Sequence, residues 1–407
     1  MRAGSAWALG SAAVALFAGL VRTVVLARFL DPAEIGLMGI ALLALGFVEA
    51  VASTGVDTAL VAERNDVERY IDPAFTIQVV RGFVVFGLLW VGAPAVAWAF
   101  RNDAAIDIIR SVGIIAVLRG VANPAVVFAI RGLDFRRVFW WTLPEVLTSL
   151  CLAVVLGFIR RDVWALVIAV VAGQAVGTVA SYGLVRRMPR VALGRRHIHE
   201  LLRFGRFVSG SRALMYFSVN LDAAAVGMTM GTHTLGLYQF AKRVAELPVG
   251  TFTRAVGQVA LPALSGTHAS AAALSRTWRA MLGSVVAVNA AAAVVILLVG
   301  EAGVEAVAGR QWLPAVPILK ILAVAMLFRA VVVLTGQLLD ARGQPSLTLR
   351  LNAVRLGTLL VLLPPLALWG GLNGVAQAVV LASAVSAFLA FRLSDRVLSG
   401  ERSGDHR

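Results

Sequence analysis

Asn220-Leu-Asp-Ala-Ala-Ala-Val-Gly-Met-Thr-Met-Gly-Thr-His-Thr-Leu-Gly-Leu-Tyr-Gln-Phe-Ala-Lys-Arg-Val-Ala-Glu-Leu-Pro248 sets Asp222, His233, Lys242, Arg243 and Glu246 into sequence otherwise apolar enough to lie in a bilayer. Charge in hydrocarbon costs several kcal/mol and persists where it pairs, meets water or meets a ligand. The stretch reads as the end of one membrane helix, a turn, and the start of the next.

The surrounding chain obeys the same solvent. Hydrophobic residues make up 59% of the sequence and charged ones 14%, with a mean hydropathy of +0.84. A soluble globular domain is far more polar. Apolar runs long enough to cross about 30 Å of hydrocarbon recur from Ser5 to Val397. They predict an all-α polytopic membrane protein with about twelve transmembrane helices, over 5–27, 34–62, 73–99, 107–130, 138–159, 163–185, 207–230, 235–262, 277–300, 313–338, 347–369 and 372–394. No connection between them has room for a soluble catalytic domain. Met1-Arg2 before an apolar run resembles a signal peptide, but the run continues through Arg22 without a clear cleavage site and reads as the first membrane helix. Cys151 is the only cysteine, which excludes a disulfide framework and a cysteine-rich metal site.

The net charge of +15 is carried largely by arginine, since Lys242 and Lys320 are the only lysines. Nucleic-acid binding is not the reading, because the arginines sort by loop. Arg64, Arg131, Arg136, Arg137, Arg186, Arg187, Arg195, Arg196, Arg342, Arg396 and others fall at one set of alternate loops and in the C-terminal tail. Arg28, Arg101, Arg160, Arg161 and Arg310 are the few on the opposite set. The positive-inside rule then places both termini in the cytoplasm.

A basic segment, 186–206, separates an N-terminal six-helix lobe (1–185) from a C-terminal six-helix lobe (207–397), followed by a tail, 398–407. Within that segment Ile198, Leu201 and Leu202 share a helical face flanked by Arg195, Arg196, Arg203 and Arg206, the pattern of an amphipathic helix that meets anionic lipid head groups. An ordinary basic linker gives the same composition. The lobes also match one another. Ile35-Gly-Leu-Met-Gly-Ile40 aligns with Leu235-Gly-Leu-Tyr-Gln-Phe240, and Leu118-Arg-Gly-Val121 with Phe328-Arg-Ala-Val331. Two pseudo-symmetric lobes of this kind are a transporter's architecture, with substrate bound between them.

Charges inside the expected spans are the candidate site. They are Glu49, Asp57, Arg119, Asp222, Lys242, Arg243, Glu246 and Arg329, with Arg22, Arg81, Glu145, Arg212, Arg254, Lys320, Arg350 and Arg355. Of these, Glu49, Arg119, Glu246 and Arg329 stand nearest mid-helix. Cations exceed carboxylates, so an inward-facing set favours an anion, and arginine forks onto phosphate oxygens. Arg22, Arg119, Arg212, Lys242, Arg243 and Arg329 are the candidate substrate-binding residues. Arg119 and Arg329 occupy equivalent repeat positions. Glu49, Asp57, Asp222 and Glu246 are candidates for ion coupling or charge balance, and Lys242 with Glu246 form an i, i+4 pair that neutralises itself. Arg81, Lys320, Arg350 and Arg355 lie near enough to helix ends to snorkel. The histidines fall in loops or the tail, and no metal-ligand spacing or catalytic constellation occurs.

These motifs resemble a known family. Asn220-Leu-Asp222, Gly227, Leu235-Gly-Leu-Tyr238, Ala241-Lys-Arg-Val-Ala-Glu-Leu-Pro248 and Val259-Ala-Leu-Pro262 are similar to the second-lobe pattern of Wzx-type polysaccharide flippases of the multidrug/oligosaccharidyl-lipid/polysaccharide exporter superfamily. In the first lobe, Leu26-Ala-Arg-Phe-Leu-Asp-Pro-Ala-Glu-Ile-Gly36, Gly55-Val-Asp-Thr-Ala-Leu60 and Ile130-Arg-Gly-Leu-Asp-Phe-Arg136 have counterparts. Relatives often carry a polar or basic residue after Asp222, where this chain has Ala223. The resemblance implies export of a polyprenyl-diphosphate-linked oligosaccharide from the inner to the outer leaflet of a bacterial plasma membrane, for cell-surface polysaccharide. It implies no enzyme activity and no cofactor, with polysaccharide polymerase or assembly proteins as partners. A multidrug antiporter of organic cations, from the same superfamily, would want an acidic, aromatic interior. An integral-membrane glycan polymerase or ligase would want a long outer loop.

Overall fold

The computed structural model describes residues 19, 21–22, 25–56, 59–60, 67–132, 134–184, 187–192, 195–248 and 271–404. In hydrocarbon each backbone N–H and C=O needs a partner within its own segment, and a helix supplies one residue by residue. The described chain is accordingly a succession of helices: α1 (Pro32–Val51), α2 (Glu68–Ala99), α3 (Ala105–Gly120), a short α4 (Val127–Arg131), α5 (Phe135–Arg160), α6 (Val163–Leu184), α7 (Arg195–Met230), α8 (Thr232–Pro248), α9 (Ala271–Val307), α10 (Val316–Ala341) and α11 (Pro345–Gly404).

Seven helices among the described residues are long and apolar enough to cross a membrane. The last, Pro345–Val397, has 53 residues, about 80 Å of helix against about 30 Å of hydrocarbon. It breaks at Gly371, whose φ of 54° and ψ of −134° belong to no helix, so α11 is two crossings. The remaining membrane helices miss those limits for reasons of length or charge. α3 has 16 residues and α8 has 17, while α7 carries much of the charge discussed below. The first expected span, 5–27, lies mostly outside the described residues, as do Asp57, Arg254, His268 and the Val259–Pro262 motif.

Three expectations need correction. The span 34–62 is broken: α1 stops at Val51, and Gly55, with φ of 63°, turns the chain before helix resumes at Val56. The span 107–130 also stops early, at Gly120. There Asn123 takes an extended conformation and its side chain accepts from the Ala125 amide, starting a tight turn with Pro124 that leads into α4. Asn123 is held on both sides, by Ser181 Oγ at 2.9 Å and the Arg187 carbonyl at 2.9 Å. The third concerns the basic segment. α7 starts at Arg195 and runs unbroken into the membrane, and Leu201 is buried in a protein cluster with Val56, Leu60, Ile71 and Val127. The apolar face expected to dip into lipid therefore packs on protein at that residue. Residues 187–192 are tied down as well, Ala192 exchanging hydrogen bonds with the Thr76 hydroxyl of α2.

Two compact units emerge, one of residues 1–216 with 227–236, the other of 217–226 with 237–407. In the first, α2 packs on α3, α5 on α6, and α3 lies against both α1 and α6. Glycine permits these approaches: a Cβ on Gly82 would reach the Ala116 carbonyl and one on Gly120 the Gln78 carbonyl. At the start of α8, Gly236 backs onto the Pro32 carbonyl and Gly36 onto that of Thr232, leaving no room for a Cβ on either. In the second unit α10 packs on α11 and α9 on α10, with Trp312 and Phe240 rings 4.5 Å apart.

Candidate functional site

In the first unit the polar site is built where α1, α3 and α6 meet. Glu49 lies in the last turn of α1 and Arg119 in the last turn of α3, not mid-helix as the sequence suggested. A helix C-terminus carries partial negative charge, which favours Arg119 and disfavours Glu49. Glu49 compensates by binding Arg119, whose Nη1 donates to its two oxygens at 3.0 and 2.7 Å. Arg119 Nε donates to Gln174 Oε1 on α6 at 3.0 Å. The arginine side chain remains 46% exposed and the glutamate 19%. Glu145, on α5, lies within electrostatic range of Arg119 and packs where a Cβ on Gly177 would stand. Arg22 Nη1 donates to Ser149 Oγ at 3.2 Å, one turn beyond Glu145. Arg212 Nη1 donates to Ser53 Oγ at 3.2 Å.

The second unit is organised around a fully buried carboxylate. Asp222 is 0% exposed, and its donors come from one face of α8. Lys242 Nζ donates to both its oxygens at 2.9 Å, and the Tyr238 hydroxyl donates to Oδ2 at 2.6 Å. Lys242 Nζ also donates to the Val219 carbonyl at 2.6 Å. Tyr238 and Lys242 share that face because they stand four residues apart. The expected Lys242–Glu246 pairing therefore does not form. A surface i, i+4 pair is worth about 0.2–0.5 kcal/mol, and the buried acceptors of Asp222 outcompete it. Glu246 instead accepts from Arg329 Nη1 on α10 at 3.2 Å. Arg243 is exposed, with Glu246 its near carboxylate.

Arg355 overturns another expectation. It does not snorkel: it is 5% exposed, its Nη1 donates to the Ser218 carbonyl at 2.5 Å, and its Nε has no partner among the described residues. Sequence reasoning missed the Asp222–Lys242–Tyr238 triad although a signal existed. Asp222 stands nine residues before Gly231 and Lys242 eleven after it, which sets them opposite one another in a helical hairpin. His233 is exposed in the first turn of α8, and His197 and His199 lie in α7, not in loops.

Arg119 and Arg329 thus share a device, each held by a glutamate, Glu49 on α1 and Glu246 on α8. The polysaccharide biosynthesis protein family matches residues 25–317 of this arrangement. The chain belongs to that family. Among curated relatives, the teichuronic acid biosynthesis protein TuaB of Bacillus subtilis (strain 168) is 23% identical over 74% of this chain and 63% of its own length. The lipopolysaccharide biosynthesis protein WzxC of Escherichia coli (strain K12) is 20% identical over 86% of this chain and 72% of its own. Of solved structures, the lipid II flippase MurJ in an inward closed conformation superposes with a TM-score of 0.79 at 13% identity, over 97% of this chain and 88% of that one. An inward-facing multidrug MATE transporter gives 0.73 at 15% identity, over 95% and 96%. This family member therefore shares the fold of MurJ and of that MATE transporter.

Proposed function

We propose that this member of the polysaccharide biosynthesis protein family is an exporter that moves a polyprenyl-diphosphate-linked oligosaccharide from the inner to the outer leaflet of the plasma membrane by alternating access. Helices 1–185 and 207–397 form the lobes that rock, and both termini face the cytoplasm. One observation carries the reading: arginines held within the membrane at equivalent positions of the repeat, Arg119 and Arg329, each balanced by a single partly exposed glutamate. Arginine so placed suits a phosphate-bearing lipid, and Arg22, Arg212 and Arg243 add to the positive charge, whereas Lys242 is neutralised by Asp222. A cation antiporter would place unpaired carboxylates where this chain places arginine.

Energy for export has a simple source. Each negative charge leaving a negative-inside cell gains about 2.3 kcal/mol per 100 mV. Glu49, Asp57 and Glu246 serve charge balance in this scheme, and Asp222 a structural role. Anionic lipids meet the basic cytoplasmic loops, and a polysaccharide polymerase or other assembly protein receives the product. The test is leaflet accessibility of a lipid-diphosphate-linked oligosaccharide in proteoliposomes, with and without an imposed potential. Protein-dependent, potential-sensitive movement is expected. Its absence with native lipid extracts as the cargo source would reject transport.

A further inference from the structure

The sets around Arg119 and Arg329 are equivalent in position but not in charge. Around Arg119 stand Glu49, within hydrogen-bonding distance, and Glu145, within electrostatic range. Arg22 donates to Ser149, one turn beyond Glu145, and the remaining ligand of Arg119 is the neutral amide of Gln174. Arg212 donates to Ser53, one turn beyond Glu49, so among the described residues three guanidiniums face two carboxylates, an excess of one.

Around Arg329 the count differs. Glu246 pairs with it and neighbours Arg243, while Arg355 lies in range of Arg329, Glu246 and Asp222. With Lys242 there are four cations against two carboxylates, and one of those carboxylates, Asp222, is already filled by Lys242 and Tyr238. An excess of two positive charges is left on Arg243, Arg329 and Arg355. Arg355 supplies an independent observation. A buried guanidinium normally has its donors satisfied, yet its Nε has no partner among the described residues at 5% exposure. An anion's oxygen would supply the acceptor it lacks.

We infer that the diphosphate of the cargo is held within the second unit by Arg243, Arg329 and Arg355, and that Arg119, with the smaller excess of charge around it, is not the anchor. The inference rests on the export reading above and refines it. A diphosphate brings about two negative charges and oxygens suited to bidentate guanidinium contacts. Glu246 holds Arg329 until that cargo replaces it. The amide-bearing set at Arg119 suits uncharged hydroxyls, such as those of a glycan.

The experiment is a binding titration of the full-length protein in detergent with undecaprenyl diphosphate, carrying no sugar, and with undecaprenol as the uncharged control. Arg243→Gln and Arg355→Gln are each expected to weaken diphosphate binding roughly 10- to 100-fold, the scale of a lost charge-assisted contact. Arg119→Gln should lose at least tenfold less. Arg243 is exposed, so it carries the test if the buried Arg355 variant fails to accumulate. A larger loss from Arg119→Gln than from Arg243→Gln overturns the siting and leaves the export reading intact. Wild-type protein that binds undecaprenyl diphosphate no better than undecaprenol overturns both. Competition by free pyrophosphate at the lipid's own concentration would reassign the site to a soluble diphosphate and overturn the lipid assignment.

Discussion

Replacing Lys242 with Met strands the Asp222 carboxylate at 0% exposure with only the Tyr238 hydroxyl as a donor. The reciprocal change, Asp222→Asn, strands the Lys242 ammonium beside the Val219 carbonyl. Breaking a buried pair from one side costs about 3–5 kcal/mol, because an uncompensated charge remains. The double variant Asp222→Asn/Lys242→Met behaves differently: no charge is buried, and the carbonyl oxygen of the introduced amide still accepts from Tyr238. Its cost should fall to about 1–2 kcal/mol, one lost hydrogen bond with the Val219 carbonyl and imperfect packing. Denaturant titration in mixed micelles, followed by tryptophan fluorescence, gives the three values as a double-mutant cycle. Transport by the double variant should survive, since the pair is a strut and not a ligand. Singles costing under about 1 kcal/mol, or a double equal to the sum of its singles, would refute the buried-pair argument.

Tyr238→Phe removes one donor to a charged acceptor and should cost about 1.5–3 kcal/mol in the same titration. At Gly36 and Gly236 even alanine puts a methyl into a backbone carbonyl, so each Gly→Ala change should lower stability by about 1–3 kcal/mol and reduce export, read as melting temperature and as surface polysaccharide. Gly371→Ala forces a side chain into a φ of 54° and should cost about 1 kcal/mol or more, again by denaturant titration. Glu246→Gln removes the internal competitor for Arg329 and should tighten binding of undecaprenyl diphosphate while slowing its release, with a steeper dependence on salt. Weaker binding by that variant would show that Glu246 positions Arg329 instead of competing for it.

Hydropathy made the membrane helices legible because lipid leaves a chain little choice of backbone structure. Their ends were less legible, since hydropathy does not register turns. Val51 through Val56 and Gly120 through Asn123 carry no charge to break the apolar runs, yet Gly55 and the Asn123–Pro124 turn interrupt both spans. The candidate charges were visible one by one, but their partners were not. Lys242 has Glu246 four residues away in sequence and chooses Asp222, twenty residues back, because the hairpin at Gly231 buries the two together. Arg355 was misjudged for a related reason. Snorkelling is argued from distance to a helix end, whereas its position is set by α7, whose Ser218 carbonyl accepts from it.

Exposure sorts these charges into two mechanical classes. The Asp222–Lys242 pair, with side chains 1% and 11% exposed, is worth several kcal/mol against one-sided disruption, too much for a cargo to displace within a transport cycle. Arg329–Glu246, at 21% and 36%, and Arg119–Glu49, at 46% and 19%, are partly exposed and are held less tightly than a fully buried pair. A diphosphate replaces such a glutamate at small cost, and the glutamate reclaims its arginine when the cargo leaves. That resolves the difficulty facing any cationic exporter, which must lower the desolvation penalty of an anion without trapping it. Held this weakly, Glu246 acts as a returning ligand that takes Arg329 back as the diphosphate leaves.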